Sequence, residues 1–116
     1  MTITFERQEG AQVVRIPARL VLANASSVRA EIIGRIEAGD TRLVFDLSGV
    51  QFADSSGLSA VLACVTAARR AGGDVVLTSP TPRVQALIEL TRLDDVISVM
   101  NDIPLAIGRV CSSATL

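Results

Sequence analysis

The run Arg42-Leu43-Val44-Phe45-Asp46-Leu47 does most to restrict what this chain can fold into. A strand with one face in water alternates apolar and polar residues, and this run is apolar almost throughout. That is the pattern of a strand covered on both faces, inside a sheet that helices sandwich. Past the short segment that follows it, the period changes. Leu58, Val61, Leu62 and Val65 recur at i, i+3, i+4 and i+7, Arg69 and Arg70 stand in the last turn, and Gly72-Gly73 stops the run, so a helix is expected there. Val61 and Leu62 are expected in the core, and Arg69 and Arg70 on a solvated face. Between strand and helix lies Phe52-Ala53-Asp54-Ser55-Ser56-Gly57, which puts two serines at a helix N-terminus. Unpaired N–H groups and a partial positive charge gather there, so a hydroxyl can cap the end and a phosphate is tolerated.

The same alternation extends in both directions. Ile3 to Arg7 and Gln12 to Ile16 read as strands joined by a Gln8-Glu9-Gly10 turn, a hairpin at one edge. A linker, Ala18-Arg19-Leu20-Val21-Leu22, leads to Asn24, the expected N-cap of a helix with Val28, Ile32, Ile33 and Ile36 on its inner face and Gly39 at its end. Asp74-Val75-Val76-Leu77-Thr78 is the next strand. Thr81-Pro82 then opens a helix with Val84, Leu87, Ile88 and Thr91 inward, closed by Leu93-Asp94-Asp95. Val96 to Met100 is expected as a last strand, and Asp102 as the cap of a short helix through Leu105, Ala106 and Val110. The expected fold class is α/β, a single domain with a sheet of four to five strands and crossover helices. The domain is expected over 1–110, with 111–116 a loose tail.

Composition enters through what it removes. The 116 residues include no His and no Lys or Tyr, and all eleven basic residues are Arg, which stays protonated. A Ser-His-Asp triad, a Ser-Lys dyad, a Schiff-base lysine and a P-loop lysine are therefore excluded, and no catalytic residue is expected. Cys64 and Cys111 have no His beside them and no metal-ligand spacing; they are expected as buried thiols, with no metal and no cofactor. The formal charge of −1, the scattered arginines and the lack of Trp and Tyr leave no nucleic-acid footprint. The opening Met1 to Arg7 lacks a signal-peptide apolar core, and no apolar run approaches the roughly 18 residues of a membrane span. A cytoplasmic protein without membrane contact is expected.

A longer ordered pattern carries a resemblance: Asp46-Leu47-Ser48, Val50, Phe52, Asp54-Ser55-Ser56-Gly57-Leu58, Arg69, Gly72-Gly73, Pro80-Thr81-Pro82 and Leu90-Thr91-Arg92-Leu93-Asp94. On these residues the chain resembles a STAS domain of the anti-sigma factor antagonist family. The resemblance implies partner switching. An unmodified antagonist binds an anti-sigma factor that is also a serine kinase, phosphorylation of a turn serine releases it, and a PPM-type serine phosphatase restores binding. The serine matching that role is Ser56, with Ser55 as second choice, and Asp54 and Gly57 support the turn. The implied partner surface comprises Val21, Leu22, Asn24, Ser55, Leu58 and Ser59. One departure stands out: where the family commonly has Gly-x-Leu-Asp, this chain has Ala18-Arg19-Leu20-Val21, which shifts that loop toward apolar contact.

Read from the residues alone, Ser56 and Ser55 are helix caps or turn residues, Asp54 either caps the helix or positions a hydroxyl, and Gly57 keeps the approach to the serine open. Two further functions stay open beside the switch. One is a constitutive interaction subunit of a sensory, secretion-control or transport assembly, with Ser56 purely structural. The other is a nucleotide-binding module, which has no Gly-rich cradle or lysine to support it.

Overall fold

The doubly covered strand lies at the middle of the sheet. In the computed structural model, which describes residues 3–113, the elements are β1 (Thr4–Gln8), β2 (Ala11–Arg15), β3 (Arg19–Leu20), α1 (Leu22–Glu37), β4 (Arg42–Asp46), β5 (Phe52–Ala53), α2 (Ser55–Arg70), β6 (Asp74–Thr78), α3 (Pro82–Leu90), a 3-10 turn (Leu93–Asp95), β7 (Val99–Met100) and α4 (Ile103–Ser113). The main sheet has five strands in the order β1-β2-β4-β6-β7. β1 pairs antiparallel with β2, and all other neighbours are parallel. This is the small α/β domain that the alternation of periods predicts. A second sheet was not expected: β3 and β5 pair in parallel, Arg19 beside Phe52 and Leu20 beside Ala53.

The period-two alternation hidden in the apolar runs sorts the core. Val14, Leu43, Phe45, Val75 and Leu77 pack with Val28, Ile32 and Ile36 of α1, Leu58, Val61 and Val65 of α2, and Val84 and Ile88 of α3. The intervening Val13, Val44 and Val76 pack with Ala106, Ile107 and Val110 of α4. Three helices thus share the larger core, and α4 covers the smaller one. Each valine buried beneath α4 is worth about 1.5–3 kcal/mol, so α4 is a structural part of the sheet.

Several expectations are corrected. α4 runs through Ser113, so the loose tail does not begin at Cys111; residues 114–116 lie outside the described residues. The last strand is only Val99–Met100, because backbone bonds from Val96 and Ile97 to the Leu93 carbonyl continue the preceding turn. Leu62 is exposed, at the margin of the inner stripe of α2. Arg69, though exposed, is tied down: Nε donates to Asp74 Oδ1 and Nη2 to the Val96 carbonyl, both at 2.8 Å, which joins the end of α2 to β6 and to the segment between the 3-10 turn and β7.

Candidate functional site

α1 and α2 start side by side because the strands before them are paired. The Asp54 N–H donates to the Leu20 carbonyl (3.2 Å), so the segment entering α2 runs along the segment entering α1. Asp54 is extended (φ −132°) and is the N-cap of α2; its Oδ1 accepts from the Gly57 N–H at 2.9 Å. Ser55 and Ser56 are therefore the first two helical residues, and the expectation that a serine caps this helix is corrected. The aspartate stands one position earlier and reaches the third N–H of the helix first.

The other oxygen of the same carboxylate serves the neighbouring helix. Oδ2 accepts from the Leu22 N–H, the first of α1, at 3.0 Å. α1 needs this partner, because its own N-cap is Val21, whose side chain has no acceptor. Asn24, expected as the cap, lies three residues further in. Its Oδ1 accepts from the Val21 N–H (3.0 Å) and its Nδ2 donates to the Arg19 carbonyl (2.8 Å), so it braces the approach to the helix. The bond from Gly57, then that from Leu22, and to a lesser degree one from Ser56, hold the Asp54 carboxyl below the usual carboxylate range, against a small opposing effect of burial. A carboxylate so occupied is a weak proton acceptor; its geometry suits joining two backbones.

Gly57 has a different reason from the one expected. A Cβ there would lie 1.9 Å from the Leu20 carbonyl oxygen, so glycine allows α2 to pack backbone to backbone against β3.

Between the two helix starts lies an open groove of about 250 Å³, lined by Leu22, Ala25, Ser26 and Arg29 of α1 and by Ser56, Ser59 and Ala60 of α2. Of the residues expected on a partner surface, Leu22 (73% exposed), Ser55 and Ser59 are open to solvent, and Val21 and Asn24 are half-buried. Leu58 is not on that surface. It is 4% exposed and belongs to the larger core, because a first-turn side chain points back under the helix start. Ser56 is half-buried at the groove wall. Ser26 and Arg29 were missed, although they stand at i+4 and i+7 from Leu22 and so follow it along one helix face.

Deeper in α2, Cys64 is fully buried; burial pushes its thiol up to about 12, with the Arg29 charge pulling weakly the other way. Cys111 is only half-buried, which corrects its expected place, and its Sγ lies 3.8 Å from the Glu9 carbonyl.

The family profile of the STAS domain matches residues 2–106. The chain belongs to the STAS domain family. Within reach of this STAS domain by sequence is BtrV of Bordetella bronchiseptica, named as a candidate anti-sigma factor antagonist, 27% identical over 101 residues that make up 87% of each chain. A crystal structure from Thermotoga maritima, of a protein with the same description, superimposes with a TM-score of 0.83 over 93% of both chains at 23% identity. The Bacillus cell fate determinant SpoIIAA in its phosphorylated form gives 0.71 at 23% identity, covering 94% of this chain and 99% of that one. These two structures share the STAS fold seen here. No helix among the described residues is long and apolar enough to cross a membrane.

Proposed function

We propose that the chain is an anti-sigma factor antagonist that works in the cytoplasm by partner switching and so regulates transcription. Its unphosphorylated form binds an anti-sigma factor serine kinase, phosphorylation of Ser56 releases it, and a PPM-type serine phosphatase restores binding. The observation that carries this reading is the position of Ser56. It is on the first turn of α2, on a backbone held by the Asp54 carboxylate, and in the wall of the groove that exposed Leu22 borders. The names of BtrV and of the Thermotoga maritima protein point the same way, and SpoIIAA is a protein of this fold that has been solved with and without phosphorylation.

The switch follows from charge. A phosphoserine adds about −1.5 to −2 at pH 7. In the free chain that charge meets the N-terminus of α2, and Arg29 lines the same groove, so the fold tolerates it. A partner seated over Ser56 has to bury the dianion. With no cation of its own arranged for it, the complex loses several kcal/mol in effective terms, equivalent to roughly three decades of affinity. Release comes from charge exclusion at the interface, with the fold unchanged.

The test is a pull-down from the native host's lysate with Ser56→Ala and Ser56→Glu baits, read by mass spectrometry. A serine-kinase-like regulator held by the alanine bait and missing from the glutamate bait is the expected result. Equal retention by both baits would leave Ser56 a structural residue and the chain a constitutive interaction subunit.

A further inference from the structure

Phe52 is one of only three aromatic residues in the chain, yet it is 42% exposed on β5. Two guanidinium groups flank its ring, Arg19 Cζ at 5.0 Å and Arg83 Cζ at 5.9 Å from the centroid. Stacking on the ring holds both cations in place. Neither forms an ion pair with a carboxylate among the described residues; Arg29, Arg42, Arg70 and Arg109 share that, but only Arg19 and Arg83 are also held on one exposed ring.

From Arg83 an apolar groove of about 270 Å³ runs along α3, with Ala53, Ala86, Leu87 and Leu90 in its walls. Its origin is legible in the helix. Val84 and Ile88 form the stripe that enters the core, and Arg83, Ala86, Leu87 and Leu90, at i, i+3, i+4 and i+7, form a second stripe beside it. That second stripe ends at Leu90, which is 80% exposed. A single exposed leucine is ordinary, but one continuous with an apolar groove and an exposed phenylalanine marks a binding surface. Glu89, the acidic residue of α3, is engaged by the Gln85 amide at 2.8 Å and is not in the groove wall.

We infer that this groove docks an acidic amphipathic helix of a partner protein. Apolar side chains at i, i+3 or i+4, and i+7 of that helix fill the channel between Ala53 and Leu90, and carboxylates on its flanks meet Arg83 and Arg19. The length agrees: Arg83 to Leu90 spans two helical turns, roughly 10 Å, enough for two layers of inserted side chains. The sign of the partner follows from two preorganised cations without a carboxylate of their own. A second copy of this chain is a poor occupant, because the α3 stripe it would present has no free carboxylate for these arginines: Glu89 is engaged by Gln85 and stands outside the groove wall. The groove shares no lining residue with the one beside Ser56, so the two surfaces are distinct.

The experiment is an NMR titration of the 15N-labelled full chain with a synthetic helical peptide carrying leucines at that spacing and glutamates on both flanks, against the same peptide flanked by lysines. The glutamate peptide is expected to shift the amides of Ala53, Arg83, Ala86, Leu87 and Leu90 and to leave Ser56 and Ser59 in place. Arg83→Glu and Leu90→Asp, both at exposed positions, are each expected to weaken it at least about tenfold, and the Arg19→Glu/Arg83→Glu double variant to prefer the lysine peptide. Equal binding of the two peptides, shifts mapped elsewhere, or no saturation up to roughly 1 mM overturns the assignment. So does self-association of the unbound chain that Leu90→Asp abolishes, since that gives the groove to a second copy.

Discussion

α1 and α2 start next to each other and solve the same problem differently. Each leaves its first N–H groups without partners inside the helix. α2 has an aspartate at its N-cap, whereas α1 has a valine and takes the second oxygen of that same aspartate. A helix start that looks uncapped, with Val21 at its N-cap, is thus compensated from another element. The consequence reaches the candidate switch: because one carboxylate holds both helix starts, the groove between them, with Ser56 and Leu22 in its walls, has a fixed shape.

The comparison breaks most severely at Gly57. The Cβ of Gly57→Ala would meet the Leu20 backbone, which cannot yield without separating β3 from α2, so the variant is expected to lose about 3 kcal/mol in urea unfolding. A loss under about 1 kcal/mol would show that the two entry segments are not packed backbone to backbone.

Next in size is the cap itself. Asp54→Ala removes the acceptor of two helices and is expected to lower Tm more than a loss of one cap would. Supplying α1 with its own acceptor by Val21→Asp should reduce that loss, since Leu22 no longer depends on Asp54. A double-mutant cycle in which the two changes simply add would contradict the sharing.

Smaller still is the effect of charge at Ser56. Ser56→Glu lies on a helix N-terminus and beside a groove, outside the core, so its unfolding free energy is expected within about 0.5 kcal/mol of the parent. A large loss would mean that a charge there acts by refolding the chain. The mildest test concerns the thiols: at pH 8 a thiol reagent is expected to label Cys111 in the native state and to spare Cys64, which burial keeps neutral until denaturant is added.

The two helix starts also mark where sequence reading succeeds and where it stops. β4 and β6 were legible because an unbroken apolar run has few other uses, and the inner faces of α1, α2 and α3 because their period is helical over several turns. β3 and β5 were not, since two residues carry no period and exist as strands only through pairing with each other. The Asn24 cap was misplaced for the same reason: pairing of β3 starts α1 at Leu22, and Asn24 becomes a brace behind the true N-cap. That Asp54 caps α2 was one of two readings that its position allowed. That it also caps α1 depends on a bond across 32 residues, which no local pattern encodes. The exposure of Leu62 and the burial of Leu58 depend on how far α2 is rolled against the sheet, which spacing alone leaves open by one position.

The shared cap can be tested directly by following the Asp54 carboxyl carbon and the Leu22 and Gly57 amides by NMR as pH is lowered. The folded-state pKa is depressed, so the stabilisation is present above the unfolded value of about 3.9 and is lost as pH falls through the folded one. One titration common to all three signals, with its midpoint below 3.9, is the expected result. A Leu22 amide that does not follow the carboxyl carbon would show that Asp54 serves one helix only, and a midpoint at or above about 3.9 would contradict the capping of either helix.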